Sequence, residues 1–162
     1  MKKLINIVLF MSLSLVADNE ISVTQAGNSA AIDLEQLGSS NLIGGTSAES
    51  GSMTALDLDG VSMILDINQI GSSNVFRSDA IDGDNFTGFF EFTGDSNVFD
   101  ILMDSTGLID SDYVNLNINV TGSSNTFDLA IAEDDDASYL DLDWIITGGS
   151  NAFDFDIDYA NA

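Results

Sequence analysis

Apolar and polar residues alternate one by one along much of this chain. The segment MILDINQIG (63–71) puts Met63, Leu65, Ile67 and Gln69 on one side and Ile64, Asp66 and Asn68 on the other. YLDLDWII (139–146) sets Leu140, Leu142, Trp144 and Ile146 against Asp141 and Asp143. FDFDIDY (153–159) sets Phe153, Phe155, Ile157 and Tyr159 against Asp154, Asp156 and Asp158, and VNLNINV (114–120) repeats the pattern with Asn outward. A period of two belongs to a β-strand with one dry and one wet face. No window of comparable length carries the helical period, so the pattern predicts an all-β fold with strands about seven residues long. Parity assigns Leu65, Ile67, Phe90, Phe92, Phe99, Leu116, Ile118, Phe127, Leu142, Trp144, Phe153 and Phe155 to the interior. It assigns Asp66, Asp100, Asp128, Asp143 and Asp154 to the surface.

One phrase punctuates the strands. Gly-x-Ser-Asn occurs five times, in QLGSSNLI from Gln36, QIGSSNVF from Gln69, FTGDSNVFD from Phe92, VTGSSNTFD from Val120 and ITGGSNAFD from Ile146. Glycine tolerates positive φ, and Ser and Asn bond their own backbone, so the phrase reads as a turn. Its Asn opens the next strand on the inward parity, as in Asn97, Phe99, Ile101. An inward amide is costly unless paired. Identical amides stacked layer on layer pair with one another, as in cross-β ladders. Asn41, Asn74, Asn97, Asn125 and Asn151 are therefore candidate ladder residues as well as turn formers.

The turn glycines Gly38, Gly71, Gly94, Gly122 and Gly148 are 33, 23, 28 and 26 residues apart. Each interval holds two strands and two turns, the signature of a solenoid. The expected architecture is a β-solenoid of about five stacked strand-turn-strand layers, with the glycines in a column. The variable length falls in the second connection, in STGLIDSD (105–112) and EDDDAS (133–138).

Composition narrows the function. The chain has 162 residues and no His, Cys or Pro. Residues 1–17, MKKLINIVLFMSLSLVA, have the two lysines, apolar run and small final residue of a secretory signal, and they are too short for a membrane span. Cleavage after Ala17 leaves one repeat domain over residues 18–162, in which Arg77 alone faces 27 acidic side chains, a net charge of −26. Such a surface repels nucleic acid and anionic membrane and favours cations and basic partners. Without cysteine, no disulfide holds the exported fold.

The residues also carry a family resemblance. QAGNSAAIDLEQLGSSN (25–41) has Gln-x-Gly at Gln25 and Gln36 with glycines eleven residues apart, and QIGSSNVF repeats Gln-x-Gly-x-x-Asn at Gln69. This resembles the curlin repeat, the unit of bacterial curli fibres, over roughly residues 21–76. On that pattern Gln25, Gln36 and Gln69, Gly27, Gly38 and Gly71, and Asn41 and Asn74 match ladder and turn positions. Beyond it the Gln position holds Phe92, Val120 and Ile146, and the turn continues through Gly94, Asn97, Gly122, Asn125, Gly148 and Asn151. The resemblance implies a secreted subunit that polymerises with itself into amyloid-like fibres of a biofilm matrix or adhesive surface. It also implies a nucleating minor subunit and an outer-membrane secretion pore as partners.

Acidic faces give a second candidate chemistry. Calcium bridging of outward carboxylates would turn repulsion between layers into a link. Candidate ligands are Asp82 and Asp84 in DAIDGDN (79–85), Asp134, Asp135 and Asp136 in EDDDAS, and Asp141, Asp143, Asp154 and Asp156 on the outward strand faces. Neither acidic segment has the spacing of an EF-hand loop, and a solvated acidic face is the plainer reading. Catalysis is not expected, because no His, Cys or mature Lys is present to activate a nucleophile. Three readings follow: a self-assembling extracellular fibre subunit, a monomeric acidic calcium-binding surface adhesin, and a small outer-membrane β-barrel with lipid outside.

Overall fold

Thirteen strands and no helix make up the described chain, which comprises residues 19–44, 55–103, 112–131 and 139–157 of a computed structural model. Every strand pairing is parallel. One sheet runs in the order β1 (Asn19–Ile21), β4 (Asn41–Ile43), β7 (Val75–Asp82), β9 (Val98–Met103), β11 (Thr126–Ile131) and β13 (Ala152–Ile157). The short strands β2 (Thr24–Ala26) and β5 (Leu56–Asp59) continue its first layers, β2 on β5 and β5 on the far half of β7. The second sheet runs β3 (Ala31–Leu37), β6 (Ile64–Ile70), β8 (Thr87–Thr93), β10 (Asn115–Thr121) and β12 (Asp141–Thr147). The chain visits both sheets in each layer, which winds it into a β-solenoid of five layers, the first two with an added short strand (β2, β5), closed by β13 alone. A membrane barrel, by contrast, is built from antiparallel neighbours.

The pairing is nearly irregularity-free because the repeat keeps parity. Ala31 to Leu37 pair residue for residue with Ile64 to Ile70, which pair with Thr87 to Thr93, then Asn115 to Thr121, then Asp141 to Thr147. A slip by one residue would turn every apolar side chain outward, so a buried face holds the register. The one shift in pairing lies between β5 and β7, at Leu56/Asp57. There the 33-residue interval carries its extra length inside the first sheet, between β4 and β5. The other long connections join β9 to β10 and β11 to β12, and residues 105–111 and 133–138 within them lie outside the described residues, as does the expected signal segment.

Between the sheets the inward residues stack in columns. Leu65, Ile67, Phe90, Phe92, Phe99, Leu116, Ile118 and Phe127 are buried, in line with their parity. Phe76, Phe99 and Phe127 rise through successive layers, with Phe90 and Phe92 set against Phe99 at ring-centroid distances of 5.2 and 5.4 Å in edge-to-face contact. Two expectations are corrected. Phe153 and Phe155, read as interior, are 49% and 46% exposed, because their layer has a neighbour on one side only. Asp100, read as an exposed acid, is only 5% exposed, and its Oδ2 lies 3.9 Å from Arg77 Nε in the layer before it. The one basic residue of the described chain thus sits beside a carboxylate that burial would otherwise leave costly.

The corners bear out the glycine as a positive-φ residue and add two things to it. Gly38, Gly94, Gly122 and Gly148 have φ between 139° and 151°, and the serines Ser40, Ser73, Ser96, Ser124 and Ser150 are left-handed too, with φ between 56° and 62°. The glycine is required by close approach as well. A Cβ on Gly71 would run into the carbonyl oxygen of Gly38, and the same collision recurs for Gly94 on Gly71, Gly122 on Gly94 and Gly148 on Gly122. The five glycines therefore do form a column, and each of the first four donates its N–H to the following layer, for example Gly94 to the Thr121 carbonyl at 2.9 Å.

Candidate functional site

The ladder positions come together along one edge of the stack. Asn41 Nδ2 donates to Asn74 Oδ1 at 3.1 Å, Asn74 Nδ2 to Asn97 Oδ1 at 2.9 Å, and Asn125 Nδ2 to Asn151 Oδ1 at 3.0 Å. Between Asn97 and Asn125 the backbone N–H of Asn97 takes that role, donating to Asn125 Oδ1 at 3.1 Å. Each amide also ties its own turn, as Asn97 Nδ2 does to the Gly94 carbonyl at 2.6 Å. The first four of these amides are buried, where an unpaired amide would be costly. Asn151 ends the ladder, with only a long 3.5 Å contact from Nδ2 to the Gly148 carbonyl.

The glutamines divide. Gln69 Nε2 donates to Gln36 Oε1 at 2.6 Å, and both residues are buried. Above them the column holds Phe92, Val120 and Ile146, so amide pairing gives way to apolar packing. Gln25 does not join this ladder. It lies on β2 beside Leu58, and its Nε2 folds back to the Gly27 carbonyl at 2.9 Å. Gln25 and Gly27 belong to the opposite corner, because eleven residues are half a layer.

That opposite corner has its own column, which the sequence reading missed. A Cβ on Gly60 would strike the carbonyl of Gly27, and one on Gly83 that of Gly60. Ser29, Ser62, Asn85, Tyr113 and Tyr139 are its left-handed residues, with φ between 57° and 62°. The signal was present as GNSA, GVSM and GDNF, a second Gly-x-Ser/Asn-apolar phrase. Tyr113 and Tyr139 stack in it with ring centroids 4.5 Å apart and planes 4° from parallel.

The candidate calcium ligands are dispersed. Asp82 is 8% exposed, and its backbone carbonyl accepts the Gly60 N–H at 3.1 Å. Asp84 Oδ1 accepts the Asp112 N–H at 3.2 Å, a link between successive layers of the Gly60–Gly83 corner. Asp141 and Asp143 line the exposed side of β12, and Asp154 and Asp156 are exposed on β13, on the other sheet. Asp134, Asp135 and Asp136 lie outside the described residues. No group of three or more acidic residues is close enough to share an ion among the described residues. What register does create is a carboxylate column, Asp100, Asp128 and Asp154, beginning at Arg77. Burial, then the Asp154 charge, pushes the Asp128 carboxyl up from its ordinary value. Asp66 is pushed up by burial, then by Asp33 and Glu91, and Asp57 by burial, then by Asp79 and Asp59.

The two ends of the stack are its most distinctive surfaces. At the far end, among the described residues, β12 and β13 have strand partners on one side only, and Phe153, Phe155 and Ile157 are exposed in columns whose earlier members, Phe127, Leu129 and Ile131, are fully buried. Trp144 packs on Phe155 with centroids 4.7 Å apart, and its Nε1–H is buried without an acceptor among the described residues. At the near end, among the described residues, β1, β2 and β3 also have partners on one side only, with Ile21, Val23 and Ile32 half-buried. These features define a parallel two-sheet β-solenoid with an internal amide ladder and, among the described residues, end layers paired on one side only. Comparison with protein-family models, curated proteins and solved structures finds no match to this chain.

Proposed function

We propose that the protein is a secreted structural subunit that stacks copy on copy into curlin-like, amyloid-like fibres at the cell surface. The observation that carries this reading is the open far layer, where Phe153, Phe155 and Ile157 await the neighbour that every earlier layer has. Open strand edges invite pairing with another chain, and proteins that stay monomeric normally block them. The near layer is a fitting neighbour, since β3 and β12 belong to one sheet and share register through all intervening strands. Covering the half-exposed phenylalanines and Ile157 favours joining by roughly 1 kcal/mol or more each. The Asn ladder supports the same direction: the side-chain donors of Asn41, Asn74 and Asn125 point toward the far end, and Asn151 ends that row.

Light scattering and electron microscopy with thioflavin binding, on the purified chain at micromolar concentration from pH 4 to 8 with and without calcium, test the reading. Growth of unbranched fibres is expected. A monomer under every condition defeats it and leaves the monomeric surface-binding solenoid, with calcium dependence as that protein's own test.

A further inference from the structure

The junction between copies has a chemistry that the register itself specifies. We propose that copies join head to tail in the register of the existing layers, so that Asp143 of one copy faces Asp33 of the next, and that this pair controls when joining occurs. The inference rests on the self-assembly reading above and adds to it the contact that regulates it.

The columns of the second sheet run Ala31, Ile64, Thr87, Asn115, Asp141; then Asp33, Asp66, Phe89, Asn117, Asp143; then Glu35, Asn68, Glu91, Asn119, Ile145. Continuing each column by one layer sets β12 of one copy on β3 of the next. Asp141 then meets Ala31, Asp143 meets Asp33, and Ile145 meets Glu35. On the other sheet the register of β1 with β4 sets Ala152 over Glu20 and Asp154 over Ser22. Of the aligned columns among the described residues, one alone brings two acids face to face.

The surroundings leave that pair uncompensated. Behind Asp143 stands Asn117, and Asp141 lies beside it on β12. Behind Asp33 stands Asp66, with Glu35 beside it on β3. Arg77, the one basic residue described, is on the other sheet beside Asp100. The joined state therefore lines up Asp143, Asp33 and Asp66 at strand spacing, about 4.8 Å per step. Within the stack, Asp66 beside Asp33 has its carboxyl pushed up, by burial first and then by the charges of Asp33 and Glu91. Protonating one member removes the repulsion, so joining strengthens as pH falls, and joining in turn favours the proton.

The test compares Asp143→Asn, Asp33→Asn, Asp143→Lys and Asp141→Asn with the unaltered chain, reading critical concentration by pelleting and thioflavin fluorescence between pH 4 and 8. Circular dichroism checks that each variant folds. Asp143→Asn and Asp33→Asn are expected to lower the critical concentration about fivefold at neutral pH, the size of one screened carboxylate pair, and to lose that advantage at pH 4. Asp143→Lys is expected to reverse the pH dependence by pairing with Asp33. Asp141→Asn removes the same charge from the same strand but faces Ala31, so it should keep the pH slope of the unaltered chain. Equal effects of Asp141→Asn and Asp143→Asn, or no effect of Asp143→Asn, in a chain that forms fibres overturn the junction and leave self-assembly standing. Failure of the unaltered chain to assemble even at pH 4 overturns both.

Discussion

Phe127 and Phe153 hold the same place in successive layers, their rings stacked with centroids 5.0 Å apart and 9° from parallel, yet Phe127 is 1% exposed and Phe153 49%. The local sequences are nearly the same, SNTFD and SNAFD. Trp144 touches both rings. The difference is that β11 lies between β9 and β13, whereas β13 has β11 alone. In a solenoid, burial belongs to the neighbour as much as to the residue, and each layer completes the one before it. The same contrast runs through the amide ladder, where Asn97 is buried with partners in both directions and Asn151 is half-buried at its end.

The contrast should be sharpest at the corner. Gly122→Ala forces a methyl into the Gly94 carbonyl and is expected to cost more than about 3 kcal/mol in urea denaturation. Gly149→Ala, where an added methyl meets nothing within 4 Å, should stay within about 0.5 kcal/mol. Equal effects would show that the corner column is not held by close approach. Next in size is the ring pair. Phe127→Ala is expected to cost about 3–5 kcal/mol, and Phe153→Ala, measured on the dilute monomer, about 1–2 kcal/mol. A Phe153 variant as damaging as the Phe127 variant would mean that the far layer is covered in the monomer. The ladder comes third. Asn97→Ala should cost about 1–3 kcal/mol by stranding buried partners, against about 0.5 kcal/mol for Asn151→Ala.

The smallest effect is on pH dependence. Asp66 and Asp128 have carboxyls raised above their ordinary value, so the folded chain holds those protons more tightly than the unfolded chain does. Stability from these groups therefore rises as pH falls from neutral through the raised titrations, and the gain is complete below the ordinary carboxylate range. Asp66→Asn should flatten that part of the stability profile, read from melting temperature against pH. Asp154→Asn should reduce the part due to Asp128 without abolishing it, because burial, the larger cause, remains.

Strand period, two-strand layers and the glycine column were legible in the sequence alone, because each follows from local spacing: alternation at period two, and a turn phrase at intervals with room for two strands. The inward placement of Asn41, Asn74, Asn97 and Asn125 was legible for the same reason, since parity is set by the residue next along the strand. Three matters were not. Gln25 was grouped with Gln36 because the phrase Gln-x-Gly does not say which corner it occupies, and only the winding puts the two on opposite edges. Asp100 was read as exposed because parity names a face of the sheet without naming what lies against it. Phe153 and Phe155 were read as core because the pattern marks a side chain as inward whether or not another layer stands above it. Local spacing decides which way a residue points. Only the stack decides what it meets, because burial is a relation between segments that the chain holds 23 to 33 residues apart.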